Sequence, residues 1–265
     1  MKTDIALTIA GSDPSGGAGI QADLKTFHQH GVYGMAVISL LTVQSTTGVT
    51  RVQTVDPDLL AQQIDHLLMD LVPGAAKTGA LGNASLVEVV AARAKPFTFP
   101  LVVDPVMISK HGHPLIDASA VQAVKSKLMP VTFLVTPNTH EAASLTGRKV
   151  DTLAEAKDAA KAIAQLGVKH VLVKGGHLEG DAVDVLLADG VLHELHAPRI
   201  DTKHTHGTGC TSSAAITARL SQGASLVEAV TQAKAWLTRA IQTAPGLGHG
   251  VGPVNHFAPL TAVER

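Results

Sequence analysis

The chain has 265 residues, of which 45% are hydrophobic and 16% charged. This balance excludes an intrinsically disordered chain, which combines low hydrophobicity with a high net charge. The formal net charge of -1 provides no basic field for duplex nucleic acid, and the single Cys excludes both a disulfide framework and a multi-cysteine metal site.

Short apolar runs rich in β-branched residues alternate with longer segments of helical periodicity. The predicted strands are, in chain order, Ile5–Ala10, Gly34–Leu41, Ala75–Thr78, Leu101–Asp104, Phe133–Thr136, His170–Lys174 and Asp184–Ala188. The predicted helices are Ala18–Gln29, Asp58–Asp70, Asn83–Ala94, Ala118–Leu128, Thr139–Leu145, Thr152–Leu166, Cys210–Gln222 and Ser225–Ala244. This alternation predicts βαβ units and an α/β fold with helices on both faces of a mostly parallel sheet.

The organisation of the chain indicates one domain and no targeting segment. No linker or repeat divides the sequence, so we predict a single domain over residues 1–265. The apolar run Ile5–Ala10 is too short for the core of a signal peptide, and Asp13 follows it closely. No apolar stretch approaches the roughly 20 residues that span a bilayer. We therefore expect a cytoplasmic protein without a membrane partner.

A glycine-rich loop, Gly11–Gly19, follows the first predicted strand and opens the first predicted helix. Small residues let backbone N–H groups approach a ligand, and a helix N-terminus favours anionic groups. The segment Gly17–Ala22 matches a loose dinucleotide-binding pattern, but Ile38–Val49 contains no acid to hold a ribose, which argues against an NAD-dependent oxidoreductase. A tight turn without a ligand is the structural alternative.

A second glycine-rich segment, Gly207–Gly209, precedes the helix predicted from Cys210. Unpaired N–H groups at this helix start would form an anion hole. The positive end of the helix dipole would lower the pKa of Cys210, which could then act as a base or nucleophile; a buried, inert thiol is the alternative. His204 and His206 could share a face as metal ligands, but no third ligand is in view.

Charged and polar residues follow several predicted strands. Asp104 ends one strand, and Lys174 ends another beside two glycines. Asn138 precedes a helix with Glu141 three residues later, a spacing that also forms a capping box. Asp104 and Glu141 could hold Mg²⁺ through water, and Lys174 could contact phosphate. The alternative for Lys174 is an exposed, solvated lysine.

The order of these motifs resembles that of the ribokinase-like family of small-molecule kinases. The glycine loop is followed by Asp-Pro-Val-Met from position 104, Thr-Pro-Asn-x-x-Glu-Ala from 136, Lys-Gly-Gly-His from 174 and Gly-Thr-Gly-Cys from 207. Within that family, essentially the whole chain resembles the hydroxymethylpyrimidine/phosphomethylpyrimidine kinase branch of thiamine biosynthesis. The stretches Ser15–Phe27 and His204–Cys210 are specific to this branch, since most sugar kinases of the family carry Asp at the position of Cys210.

The resemblance implies a ribokinase-like three-layer α/β/α sandwich and an enzyme that uses ATP and Mg²⁺. It would phosphorylate 4-amino-5-hydroxymethyl-2-methylpyrimidine and then its monophosphate, and would be a homodimer. The resemblance also implies roles for individual residues. Gly11, Asp23 and Gln44 would bind the substrate, Asp104 and Glu141 would support Mg²⁺, and Asn138 and Lys174 would face the nucleotide phosphates. Gly207, Thr208 and Gly209 would form the anion hole, with Cys210 as the general base.

Two departures and two alternatives bear on the substrate. Ala80 stands where the family usually has Met, which enlarges one pocket wall, and Ser45 stands where members often have Asn. The nearest alternative is a pyridoxal/pyridoxine kinase of vitamin B6 salvage, whose members tend to lack the residues corresponding to Gln44 and His177. The other alternative is a non-catalytic nucleotide-binding protein on the same fold, which would be expected to lack the acids or the anion hole named above.

Overall fold

The structure is a computed structural model that describes residues 3–107, 116–176 and 181–262. Within these ranges, nine strands form one sheet in the order β3-β2-β1-β4-β5-β6-β7-β8-β9. The strands are β1 (Ile5–Ser12), β2 (Tyr33–Ser45), β3 (Gly48–Thr54), β4 (Ala75–Thr78), β5 (Leu101–Val103), β6 (Leu134–Val135), β7 (His170–Val173), β8 (Asp184–Ala188) and β9 (Val191–Leu195).

The sheet is mostly parallel, as the sequence predicts. β2, β1, β4, β5, β6 and β7 run parallel to their neighbours, while β3 at one edge and β8 and β9 at the other add antiparallel pairs. The sequence analysis missed β3 and β9, which lie at the edges and carry polar, partly exposed residues. The parallel order brings the carboxyl ends of the central strands to one edge, where ligands bind in such sheets.

Eight α-helices cover the two faces of this sheet within the described ranges. They are α1 (Gly19–Gln29), α2 (Pro57–Leu68), α3 (Ala84–Ala94), α4 (Ala118–Ala123), α5 (Thr139–Thr146), α6 (Leu153–Ala164), α7 (Thr208–Ser221) and α8 (Leu226–Gln242). The helix predicted over Ala118–Leu128 is α-helical only to Ala123 and continues as a π turn, Val124–Leu128. Among the described residues, none of the helices has the length and apolarity that crossing a bilayer requires.

Successive side chains of a strand pack against helices on opposite faces of the sheet. In β1, Leu7 and Ile9 belong to the aliphatic cluster that includes α2 and α3, whereas Ala6 packs with residues of α1 and α7. This alternation follows from the two-residue period of a strand. The fold is therefore the three-layer α/β/α sandwich that was predicted. The assignment of residues 1–265 to a single domain stays a prediction.

Candidate active site

A cavity of about 700 Å³ lies beyond the carboxyl ends of the central strands. Its volume is in the range that holds a small organic ligand. All the predicted site residues except Asp23 line it: Gly11, Gln44, Asp104, Asn138, Glu141, Lys174, Gly207, Thr208, Gly209 and Cys210. Ala80 also lines the cavity, whereas Ser45 is exposed, with its Oγ 2.8 Å from Thr47 Oγ1. The His177 side chain lies outside the described residues.

The two glycine-rich segments meet at this cavity. Gly207 caps α7 with a φ of 77°, a left-handed conformation that favours glycine. A Cβ at Gly207 would overlap the carbonyl oxygen of Gly17, so the close approach of the two loops also requires glycine there. No side chain caps the N-terminus of α7, and the residues of its first turn line the cavity. This arrangement suits the predicted anion hole, because the first N–H groups of a helix lack intrahelical acceptors.

Asp104 and Lys174 form an ion pair on the cavity wall. Lys174 Nζ donates to Asp104 Oδ1 at 2.9 Å, and the Lys174 side chain is 17% exposed. Burial lowers the pKa of Lys174, but the neighbouring Asp104 and Glu141 raise it above its usual value, so the ammonium stays charged. A Cβ on Gly209 would lie 3.3 Å from Lys174 Nζ and 3.4 Å from Asp104 Oδ2. The pair therefore lies against the first turn of α7, and the alternative of an exposed, solvated lysine is wrong.

Asn138 and Glu141 form the capping box of α5. The Asn138 N–H donates to Glu141 Oε2 at 2.8 Å, and the Glu141 N–H donates to Asn138 Oδ1 at 2.9 Å. Burial raises the pKa of the Glu141 carboxyl to about 7; Asp104 adds to this rise, while Lys174 opposes it. The capping box is therefore formed, and both Asn138 and Glu141 still line the cavity.

The oxygens available for Mg²⁺ come from two acids. Within the described ranges, no group of three or more His, Cys, Asp or Glu side chains could hold a metal ion, so the His204 and His206 metal pair is not supported. Asp104 and Glu141 are close enough for the charge of one to raise the pKa of the other. A pair of carboxylates fits Mg²⁺, which is commonly held by one or two carboxylates together with water and substrate phosphates.

Asp23 does not contact the cavity. Its fully buried carboxylate accepts hydrogen bonds from Lys77 Nζ at 2.6 Å and from Thr8 Oγ1 at 2.7 Å. The Asp23 side chain has no surface on the cavity, so its direct contact with substrate stays a prediction. Lys77, which the sequence analysis did not single out, is also fully buried and approaches the carbonyl oxygen of Cys210 at 3.4 Å. The Asp23–Lys77 pair therefore lies beneath the cavity wall and contacts the first turn of α7 through the Cys210 carbonyl.

Cys210 lines the cavity but lacks the lowered pKa that was predicted. Burial raises the pKa of its thiol to about 12, and the charges of Asp23 and Asp104 act in the same direction. Lys77 and a backbone hydrogen bond from Gly19 oppose this rise without reversing it. Desolvation is thus the largest influence on this thiol, and it raises the pKa where the sequence predicted a lowered one.

Asp13, His206 and Gln44 form a polar cluster that the sequence did not predict. His206 Nε2 lies 2.7 Å from Asp13 Oδ2, and Asp13 also accepts the N–H groups of Ser15 and Ala18, each at 2.9 Å. Burial raises the pKa of Asp13, but the bonds from His206 and Ser15 lower it below its usual value overall. Gln44 Nε2 lies 3.2 Å from His206 Nε2. The position of Asp13 inside the glycine-rich loop was the available sequence signal.

Comparisons with known proteins identify the family of the chain. The family described as "Phosphomethylpyrimidine kinase" matches residues 13–255. The hydroxymethylpyrimidine/phosphomethylpyrimidine kinase of Synechococcus elongatus is 45% identical over 98% of this chain and 100% of its own length. The chain is 46% identical to the thiamine biosynthesis bifunctional protein ThiED of Geobacter sulfurreducens, of which it spans 52%.

Two solved structures share the fold of this chain. The Bacillus subtilis pyridoxal kinase in complex with ADP has a TM-score of 0.89 at 38% identity and covers 97% of this chain and 98% of its own. The Clostridium difficile phosphomethylpyrimidine kinase has a TM-score of 0.80 at 40% identity and covers 90% of this chain and 100% of its own. Because the family model covers residues 13–255 and relatives of that name are 42–48% identical over nearly the whole chain, the chain belongs to the phosphomethylpyrimidine kinase family.

Proposed function

We propose that this protein is an ATP-dependent kinase of thiamine biosynthesis. It phosphorylates the hydroxymethyl group of 4-amino-5-hydroxymethyl-2-methylpyrimidine and then phosphorylates the monophosphate. The observation that carries the proposal is a single cavity lined by an amide that can pair with a pyrimidine, two acids, a charged lysine and an open helix N-terminus. A non-catalytic protein would have no reason to keep all four features.

The catalytic contribution of these groups is electrostatic. Phosphoryl transfer passes through a loose transition state, so positioned donors and cations around the transferred group supply most of the rate enhancement. The N–H groups of the Gly207–Gly209 segment would accept the developing negative charge. Lys174 and Asn138 would face the nucleotide phosphates, and Asp104 and Glu141 would hold Mg²⁺, which neutralises phosphate charge when bound. ATP as the phosphate donor is supported by the pyridoxal kinases of similar fold, which were solved with ADP and with AMP-PCP.

The role assigned to Cys210 changes with the structure. A thiol with a pKa near 12 is a poor proton acceptor at neutral pH in the unliganded protein. We infer that Cys210 shapes the cavity wall beside the anion hole and positions the substrate rather than acting as the general base.

A second candidate is pyridoxal phosphorylation. The Staphylococcus aureus pyridoxal kinase in complex with pyridoxal has a TM-score of 0.90, although at 35% identity. The relatives named hydroxymethylpyrimidine/phosphomethylpyrimidine kinase reach 42–48% identity, with the Rhizobium meliloti protein at 48%. The higher identity and the presence of Gln44 on the cavity favour the pyrimidine.

An ADP-release assay across three substrates tests this assignment. We expect turnover of the hydroxymethylpyrimidine and of its monophosphate at a kcat/KM well above that for pyridoxal. A higher kcat/KM for pyridoxal would assign the protein to vitamin B6 salvage, and no turnover of any of the three would reject a kinase of this branch. We also propose a cytoplasmic homodimer, for which light scattering should give twice the mass of the 265-residue chain.

A further inference from the structure

The side-chain amide of Gln44 lies between two polar neighbours. As placed, its Nε2 lies 3.2 Å from His206 Nε2, and its Oε1 lies 3.1 Å from Thr42 Oγ1. An amide can turn by 180° about its last bond and exchange its oxygen and nitrogen, so the hydrogen-bonding roles of these neighbours decide which end is which.

His206 Nε2 must carry a proton. It lies 2.7 Å from Asp13 Oδ2, and the Asp13 carboxylate also accepts the backbone N–H groups of Ser15 and Ala18. These contacts keep the pKa of Asp13 below its usual value, so the carboxylate is ionised and can only accept. His206 Nε2 is therefore a donor, whether the imidazole is neutral or charged.

A donor at His206 requires the oxygen of the Gln44 amide on its side. The amide nitrogen then faces Thr42 Oγ1, whose single proton is donated to the carbonyl oxygen of Ser12 at 2.9 Å. Thr42 then accepts from Gln44 and donates to Ser12. The single Nε2–H of His206 is shared between Asp13 Oδ2 at 2.7 Å and, at 3.2 Å, the Gln44 amide oxygen. In this orientation Gln44 has an acceptor at Thr42 and a donor at His206 Nε2, whereas the opposite orientation sets two donors against each other at His206.

We propose that Asp13, His206 and Thr42 are positioning residues that lock the Gln44 amide in one orientation and thereby select an amino group over an oxo group on the pyrimidine ring. The proposal rests on the proposed function. A 4-aminopyrimidine presents a donor on its exocyclic nitrogen beside an acceptor on the ring nitrogen. Its 4-oxo analogue presents the inverse pattern, an acceptor beside a ring N–H donor.

A freely turning amide would match either ring, because rotation exchanges its donor and acceptor. A locked amide matches only one of them and leaves unpaired groups in the cavity with the other. Sites built on such hydrogen bonds discriminate strongly, by about 10⁴-fold or more. The cluster would therefore exclude the deaminated pyrimidine, which has almost the same size and shape as the substrate.

The test is the ratio of kcat/KM for 4-amino-5-hydroxymethyl-2-methylpyrimidine to that for its 4-oxo analogue. Thr42→Val removes the acceptor for the amide nitrogen, and Thr42→Ser restores it. His206→Leu removes the donor, while Asp13 keeps its bonds from Ser15 and Ala18. Thr50→Val is the matched control, because Thr50 is exposed on β3 and bonds only the Val43 carbonyl.

We expect Thr42→Val and His206→Leu each to lower the wild-type ratio by about tenfold or more, the worth of roughly one hydrogen bond. Thr42→Ser and Thr50→Val should keep the wild-type ratio. Calorimetric binding of the two pyrimidines without ATP gives the same ratio for a variant that turns over too slowly, and a melting curve checks that each variant is folded.

The lock and the proposed function fail in different ways. A folded Thr42→Val variant that keeps the wild-type ratio in both turnover and binding would overturn the lock, as would a wild-type protein that accepts the 4-oxo analogue equally well. A wild-type protein that does not phosphorylate the 4-amino compound would overturn the proposed function instead.

Discussion

At the scale of single residues, burial decides what the titratable groups beside the cavity can do. Lys77 has no exposed surface, yet its pKa lies above the usual value, because Asp23 and the neighbouring acids outweigh the desolvation that lowers it. At Cys210, which is only partly exposed, Lys77 opposes the effect of desolvation without outweighing it, and the pKa of the thiol rises to about 12. The sequence could place both residues at strand or helix ends but could not give the depth at which they lie.

Removing the charge of Lys77 should destabilise the protein strongly. Lys77→Met leaves the buried Asp23 carboxylate without its partner, which costs about 3–5 kcal/mol in the free energy of unfolding. The double variant Lys77→Met/Asp23→Leu removes both charges and should recover most of that loss. Urea denaturation of the three proteins measures the difference. A single variant as stable as the wild type would show that the pair contributes little.

Cys210→Ala distinguishes a positioning role from a base role. A base is needed only in the first phosphorylation, because the phosphate oxygen that attacks in the second step is already ionised. We expect kcat to fall by a similar factor in both steps, since the thiol is protonated and acts through the shape of the cavity. Single-step assays with the pyrimidine and with its monophosphate make the comparison. A fall confined to the first step would restore the general-base role.

Asp104→Asn tests the proposed hold on Mg²⁺. The substitution keeps the shape of the side chain, but it removes a charge that pairs with Lys174 and lies near Glu141. We expect the Mg²⁺ concentration at half-maximal rate to rise by about tenfold or more, because hard cations bind carboxylates in preference to amides. Rates are measured across a Mg²⁺ titration with saturating pyrimidine. An unchanged titration curve would remove Asp104 from the proposed ligand set.

At the scale of elements, the sequence predicted the buried parts better than the edges. β4 and β8 have the predicted bounds, because each is short and almost entirely buried, although β4 also contains Lys77 and Thr78. β9 was missed although Asp189-Gly190 is a strong hairpin signal, and both residues have positive φ values of 48° and 80°. The exposed, mixed composition of β3 and β9 lacks the apolar run on which the strand predictions relied.

The contact between the two glycine-rich loops should be intolerant of any side chain. Gly207→Ala places a Cβ against the carbonyl oxygen of Gly17 and forces a left-handed residue to carry a side chain. We expect a loss of kcat of at least about 10²-fold, as for the removal of a preorganised donor. Gly223→Ala is the control, since Gly223 has a similar φ of 85° with no atom within 4 Å of its would-be Cβ. Equal activity of the two variants would contradict the importance of the contact.

At the scale of the whole molecule, the sequence predicted most residues that line the cavity but not the buried residues that hold them in place. Nearly all residues that the motifs indicated line one cavity, because parallel strands bring their carboxyl ends to one edge. The support came from pairs distant in sequence, such as Thr8 with Asp23 and Asp13 with His206, which no local pattern encodes. The burial of Asp23 could not be predicted for this reason, since a branch-specific motif does not tell whether a residue touches the ligand or the protein.

Two buried groups should give the stability of the whole molecule opposing pH dependences. The pKa of Glu141 is raised to about 7, so the folded state binds the extra proton and stability falls as pH rises from about 4.5 to 7. Burial lowers the pKa of His256 to about 4, so the unfolded state binds the extra proton and stability rises from about pH 4 to 6.5. The two contributions should largely cancel between pH 4.5 and 6.5.

Glu141→Gln separates the contribution of Glu141 to the pH dependence of stability from that of His256. The glutamine keeps the capping box but cannot titrate, so the variant should gain stability relative to the wild type as pH rises from 4.5 to 7, by about 3 kcal/mol at most. Chemical denaturation of both proteins across this range, in Mg²⁺-free buffer, gives the difference. A difference that does not change with pH would mean that Glu141 titrates near its ordinary value.

The contact between Gly17 and Gly207 also bears on the order in which the molecule matures during its synthesis. β1 and α1 emerge early from the ribosome, but α7 and α8, which cover the same face of the sheet, leave it last. Until residues near 242 have emerged, the nascent chain exposes an apolar face of the sheet, and α7 does not yet cover Asp23 and Lys77. We expect such an intermediate to be prone to aggregation, and the cavity is complete only when Thr205–Cys210 pack against Gly11–Gly19.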